Sequence, residues 1–404
     1  MNRPGIAVTG MGLLTCAGDA DATWAAVCRG ESLATRVPQL RGAKVDFACQ
    51  VQVDDLDDRV GRKVWRMGRF AKLAVLAARD AVRDAGLDPG AWDGSRVSVV
   101  IGCGIGGSDA FQRQSDVFAR QGAEHVSPLT IPLVISNMAV GEVAIDLKAQ
   151  GPSLATSTAC ASGASALALA RDLLAAGTCD IAVVGGTEAA VTPLVVAGFY
   201  RMGALSTRGH DVTGASRPFA ADRDGFVMGE GAGVLVLERA ADARARGARV
   251  HALLAGCAGS TDAHHPTAPP PGSPGAEAAL RQAARDAGVR PADIDHVNAH
   301  GTSTPLNDRA EAAVIARTLP HRPSVTSAKG VLGHTLGAAG AIEAVLTIQT
   351  LTHQTVPPTA NLGAGPAFDI DCVTRRPRLQ RVEVAVSHSF GFGGHNVVLV
   401  FSRP

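Results

Sequence analysis

The chain has 404 residues, 46% of them hydrophobic, and a formal net charge of +1, which suits a large packed core in two domains or one duplicated one. That charge argues against a nucleic-acid footprint over the surface, and no run of about eighteen apolar residues is present to cross a membrane. The eight cysteines form no Cys-x-x-Cys pair and no Cys/His cluster at zinc spacing, so neither a disulfide framework nor a bound metal is expected.

The start, Met1 to Gly5 followed by a strand-like Ile6-Ala7-Val8, lacks a signal-peptide layout and predicts a cytoplasmic protein. Apolar residues at 70, 73, 74, 77, 81 and 85, with a stop at Gly86, predict a helix over 70–85. Further helices are predicted over 164–176 and, after Ser273-Pro274, over 276–287. Strand-like runs lie between them: 97–101, 181–184, 234–237, 294–297 and 396–401. Their continuous apolar character suits sheets covered on both faces, and the alternation predicts an α/β protein. The Pro-rich stretch His265 to Gly275 reads either as a linker between two halves or as a surface loop near a site.

Four segments carry polar chemistry. In the run Thr156 to Ser165, Cys160 lies among small residues before the helix at 164. A helix N-terminus favours the thiolate, although alone such a cysteine reads first as a small buried hydrophobe. His300 projects from a strand end in Asn298-Ala299-His300-Gly301-Thr302-Ser303-Thr304-Pro305, with Glu311 downstream. Lys329 and His334 share the Gly-rich stretch from Ser327 to Gly340, and Lys329 stands out because the chain's basic charge is almost all arginine. Ser389-Phe390-Gly391-Phe392-Gly393-Gly394-His395-Asn396 forms an aromatic turn before the last strand. A lone histidine is more often a hydrogen-bonded core or surface residue, and such a turn merely a tight turn. The joint occurrence is what is specific.

In that order, Thr-Ala-Cys-Ala-Ser-Gly, His-Gly-Thr-Ser-Thr-Pro, Lys-Gly-x-x-Gly-His-Thr and Gly-Phe-Gly-Gly-His-Asn resemble the elongating β-ketoacyl-acyl-carrier-protein synthases, the type II ketosynthases of the thiolase superfamily. The similarity runs from Val8-Thr9-Gly10-Met11-Gly12 through Arg217-Pro218-Phe219 and Gly229-Glu230-Gly231 to the last strand. It implies a five-layered αβαβα fold from two similar halves: residues 1–248 with the nucleophile, and 249–404 with the two histidines. It also implies an acyltransferase that condenses an acyl thioester with malonyl-acyl-carrier protein, in type II polyketide or fatty-acid biosynthesis. The resemblance implies no permanently bound cofactor, with substrates arriving on the phosphopantetheine of acyl carrier protein.

The resemblance further implies roles for single residues. Cys160 would take the acyl group as a thioester. His300 and His334 would face the charge that develops on decarboxylation, and the N–H groups of Cys160 and Phe392 would form an oxyanion hole. Lys329 would position groups electrostatically, with a salt bridge to Glu311 orienting the His334 loop. Thr302 and Thr304, with Thr267 a weaker candidate, match positions that hold the phosphopantetheine arm, and Phe390 and Phe392 lie on the turn that gates the acyl pocket. Independently of the resemblance, the local basic run Arg62, Lys63, Arg66 and Arg69 is the candidate docking patch for an acidic carrier protein, with Arg62, Arg66 and Arg69 spaced to share one helix face; the resemblance adds Arg208 to the patch. The strand before the nucleophile would pair across a two-fold axis, with 131–154 as the dimer surface, in a homodimer or a heterodimer with a chain-length factor.

The chain departs from its relatives' usual pattern at His388, where asparagine is usual, at Gly68 and around Arg208. A non-catalytic chain-length factor is an alternative, but such proteins typically lack the cysteine. A thiolase or an initiating ketosynthase is another; initiating enzymes use Cys-His-Asn, whereas Gly333-His334-Thr335 supports Cys-His-His.

Overall fold

The structure, a computed structural model, describes residues 5–53, 55–61, 63–363 and 365–404. Its first half contains β1 (Ile6–Thr15), α1 (Arg69–Asp84), β2 (Val97–Gly102), α2 (Met138–Leu147), β3 (Ser153–Thr156), α3 (Ser162–Ala175), β4 (Ile181–Glu188), α4 (Pro193–Arg201) and β5 (Gly231–Arg239). The second half contains β6 (Ala252–Thr261), α5 (Pro274–Asp286), β7 (His296–Asn298), α6 (Pro305–Thr318), β8 (Ser324–Thr326), α7 (Ala339–His353), β9 (Asp371–Cys372), β10 (Val384–Gly391) and β11 (His395–Ser402). Strand order is β3-β2-β4-β5-β1 in one half and β8-β7-β10-β11-β6 in the other, with β9 added outside β8. The parallel and antiparallel pairings match strand for strand. A three-residue antiparallel seam, Ile6 to Val8 against Leu254 to Ala252, joins the two sheets.

Three apolar clusters separate the layers. One lies between α1, α2 and the first sheet, one around α3 and α7 between the sheets, and one between the second sheet and α5 and α6. The order is therefore helix, sheet, helix, sheet, helix. Strands such as β2 are buried throughout, as their unbroken β-branched runs require of a sheet covered on both faces.

Glycine sets the closest approaches. A Cβ at Gly10 or Gly12 of β1 would stand 2.1 Å from the Ala81 or Ala77 carbonyl oxygen of α1, so that helix rests directly on the strand backbone. The middle helices meet in the same way. A Cβ at Gly163 would lie 2.8 Å from the Ala341 nitrogen, and one at Gly340 would lie 2.8 Å from the Ala164 nitrogen. Each helix is preceded by a 3₁₀ turn, Ala159–Ala161 or Leu336–Ala338, whose first residue has positive φ, 49° and 48°. The crossing of small residues thus brings the starts of α3 and α7, one from each half, together at the molecular centre.

Candidate active site

Cys160 lies in the turn before α3, and Ala159 beside it adopts a left-handed conformation that costs a residue with a Cβ about 1–3 kcal/mol. The strained turn aims the sulfur at the approach to α7. There His334 Nε2 lies 3.1 Å from Cys160 Sγ. His300 follows β7, as its strand-end position predicts, and its ring stands edge-on to His334 at 5.3 Å. All three line one cavity of 290 Å³, together with Thr267, Thr302, Thr304, Phe390 and Phe392. Thr304 caps α6 through the Asn307 N–H, and its hydroxyl lies 2.9 Å from that of Thr302. The Pro-rich stretch is a loop at the cavity, not a linker: His265 Nδ1 accepts the N–H groups of Thr267 and Ala268.

Electrostatics here depart from the expectation of an easily ionised cysteine. Burial pushes the Cys160 thiol up to about 12; the Lys329 ammonium and the Phe392 N–H oppose this, while Glu188 and Glu343 reinforce it. Loss of water is the largest of these influences. Burial also drives both imidazoles well below the ordinary histidine value, with the Lys329 charge adding to the shift. The resting pair is a neutral thiol beside a neutral imidazole.

Lys329 pairs with Glu343 of α7, not with Glu311. Its Nζ also donates to the His300 carbonyl at 2.6 Å and stands 3.4 Å from His300 Nδ1. An ammonium can only donate, so His300 Nδ1 accepts and the ring proton sits on Nε2. Glu311 instead accepts the His300 N–H at 2.8 Å and the Gly301 N–H at 2.7 Å. It therefore orients the His300 loop, where the sequence pointed to the His334 loop. Glu343, fully buried, has its carboxyl raised to about 7 by burial despite the lysine beside it. Sequence analysis missed it, although it is the one acidic residue in the buried stretch of α7. Glu188 was missed too: it accepts the N–H groups of Gly104, Ile105, Gly106 and Gly337, tying the loop after β2 to the turn before α7.

The basic residues do not form one helical face. Lys63 has φ 67°, Val64–Arg66 is a 3₁₀ turn, and α1 begins only at Arg69; Arg62 lies outside the described residues. Arg66 pairs with the buried Glu142 at 2.8 Å and Arg69 with the buried Glu230 at 3.1 Å. Arg208 pairs with Asp222 and Asp224.

Comparison with known proteins matches the β-ketoacyl synthase N-terminal domain over residues 3–243 and the β-ketoacyl synthase C-terminal domain over residues 251–363. The chain is 41% identical to 3-oxoacyl-acyl-carrier-protein synthase 2 of Synechocystis sp., covering 100% of this chain and 99% of the relative. It is 40% identical to the enzyme of the same name from Staphylococcus aureus, with 98% of each covered. Among solved structures, the ishigamide ketosynthase/chain length factor superposes with a TM-score of 0.94 at 32% identity. A β-ketoacyl synthase from Burkholderia phymatum gives 0.93 at 33%. A type II polyketide acyl-carrier protein in complex with its ketosynthase, bound to the hexaketide, gives 0.92 at 29%. All three cover 100% of both chains.

Proposed function

The chain belongs to the β-ketoacyl synthase family, and on that premise we propose that Cys160, His300 and His334 divide its reaction between them. The enzyme is an acyltransferase that condenses an acyl thioester with malonyl-acyl-carrier protein, with loss of carbon dioxide, in type II fatty-acid or polyketide biosynthesis. The observation that carries the residue assignment is the single cavity in which the sulfur and both imidazoles meet.

In the first half-reaction His334 Nε2 takes the thiol proton as Sγ attacks the acyl thioester carbonyl. The tetrahedral oxyanion faces the N–H groups of Cys160 and Phe392; the phosphopantetheine thiol then leaves with the proton. A thiol raised to about 12 is not ionised in advance, so proton transfer accompanies attack. In the second half-reaction the malonyl carboxylate leaves as carbon dioxide, and its electron pair becomes an enolate. His300 Nε2–H donates to the enolate oxygen, and His334 does so once its ring proton has moved from Nδ1 to Nε2; both rings are neutral because they are buried beside Lys329. The enolate carbon attacks the thioester carbonyl at Cys160, the C–S bond breaks as the ketone forms, and the sulfur leaves as a thiolate that takes up a proton from solvent.

Thr302, Thr304 and Thr267 would hold the phosphopantetheine arm, and the Phe390 to Phe392 turn would gate the acyl pocket. Docking of acyl carrier protein falls to the region of Lys63, Arg66, Arg69 and Arg208. Residues 1–248 and 249–404 would be the working halves. The dimer, with a copy of itself or a chain-length factor, would form at β3, an edge strand exposed at Ser153, Leu154 and Ala155, with Ile131, Ile135 and Ile145 exposed nearby in sequence. Among the described residues no helix is long and apolar enough to cross a membrane.

Half-reaction assays test the assignment. Cys160→Ala should form no acyl adduct by intact-protein mass. His300→Ala should still be acylated but release carbon dioxide from malonyl-acyl-carrier protein about 10²–10³-fold more slowly. Decarboxylation by His300→Ala at the wild-type rate would refute its role.

A further inference from the structure

We propose that His388, a third buried histidine outside the reacting set, is a positioning residue that holds His300 in register through Glu311. His388 lies on β10 with no exposed surface, and its Nδ1 is 3.0 Å from Glu311 Oε1. That same oxygen accepts the His300 N–H; the other accepts the Gly301 N–H and, at 3.3 Å, the Asn307 amide. A carboxylate oxygen only accepts, so the proton of this contact belongs to His388 Nδ1. His388 Nε2 is buried with no hydrogen-bond partner among the described residues. The polar interaction of the side chain is therefore directed entirely at Glu311.

A second contact runs from the same strand to the same target. Residues 388 and 390 share a face of β10 by the two-residue period of a strand. Their rings are 5.4 Å apart, and Phe390 in turn stands 5.9 Å from His300. His300 is thus gripped twice from β10: at its backbone through Glu311 and at its ring through Phe390. The backbone grip matters because the His300 Nδ1 contact with Lys329 is long, at 3.4 Å. A small tilt of the loop would break it and swing Nε2–H away from the enolate oxygen. No contact of His388 reaches Cys160, so the effect should fall on decarboxylation alone. The inference rests on the assignment of His300 to that step.

Two variants of similar bulk separate positioning from mere packing. Asparagine carries an amide nitrogen where histidine has Nδ1 and can still donate to Glu311; leucine cannot. His388→Leu should lose about 10- to 100-fold in carbon dioxide release from malonyl-acyl-carrier protein, the worth of one hydrogen bond to a charged group. Its acylation at Cys160, followed by intact mass, and its KM for the carrier-bound substrate should stay close to wild type. His388→Asn should retain the wild-type rate within about threefold, since it keeps the bond. If the leucine protein does not fold, His388→Gln replaces it, because its amide falls at the Nε2 position and misses Glu311. Equal losses in both half-reactions, no loss at all, or an asparagine variant as slow as leucine would each overturn the proposal. His300→Ala is assayed alongside. If it decarboxylates at full rate, the assignment of His300 falls and this inference with it; if it is inactive while His388→Leu is not, only this inference falls.

Discussion

Removing the Lys329 ammonium should destabilise the protein in a pH-dependent way, because it strands a carboxylate in the dry layer between the sheets. Lys329 and Glu343 are 2% and 3% exposed, and Glu343 titrates at about 7 against an ordinary 4.5 even with the lysine present. That difference corresponds to roughly 3 kcal/mol of burial penalty that the pair does not offset. Below the ordinary carboxylate range Glu343 is protonated in both the folded and unfolded chains and costs nothing. As pH rises toward about 7, the folded protein binds the proton more tightly than the unfolded chain does, and the stability tied to this group is lost. In Lys329→Met the opposing charge is gone, so Glu343 titrates higher still and the loss extends to higher pH. Breaking a buried pair from one side commonly costs about 3–5 kcal/mol. Thermal melts of wild type, Lys329→Met and Lys329→Met/Glu343→Gln at about pH 5.5 and about pH 8.5 measure it. The single variant should melt far below wild type at the higher pH and recover much of the gap at the lower one. The double variant should show little pH dependence of that gap. An equal deficit at both pH values, or no rescue by glutamine, would refute the account of a stranded carboxylate.

Alkylation of Cys160 by a small haloacetamide should accelerate by about tenfold per pH unit from about pH 7 to 10 without a plateau, as for a thiol raised to about 12; a plateau near neutrality would mean an ionised resting thiolate. Because Arg66 neutralises the buried Glu142, Arg66→Glu should lower the melting temperature and slow turnover of small thioester mimics along with carrier-bound substrates. Loss with the carrier protein alone would make Arg66 a pure docking residue. Sedimentation at micromolar concentration should show two subunits. Leu154→Lys, on the exposed edge strand β3, should shift the protein toward monomer, and a stable, active wild-type monomer would contradict the two-fold pairing.

Cys160, His300 and His334, which line one cavity, were legible in the sequence as candidates because each sits in a short contiguous motif whose small neighbours leave room for a substrate. Helices over 70–85, 164–176 and 276–287 were legible to within a residue or two at most boundaries, because amphipathic or apolar period and stop residues are local properties. The partner of Lys329 was not. Glu311 and Glu343 lie at comparable separations along the chain, but the fold commits Glu311 to the His300 and Gly301 N–H groups and places Glu343 against Lys329. The basic run from residue 62 to 69 has helical spacing, but a left-handed Lys63 and a late helix start break it, and two of its arginines turn inward to buried glutamates. His388 could be seen as a departure, but its contact with Glu311 depends on a strand placed beside β7. The ionisation of Cys160 depends least of all on sequence. A local motif supplies the helix terminus, but desolvation, the largest influence on the thiol, is set by the two halves closing over the sulfur. Residue chemistry and local period are written along the chain, whereas pairing and burial exist only once distant segments have packed.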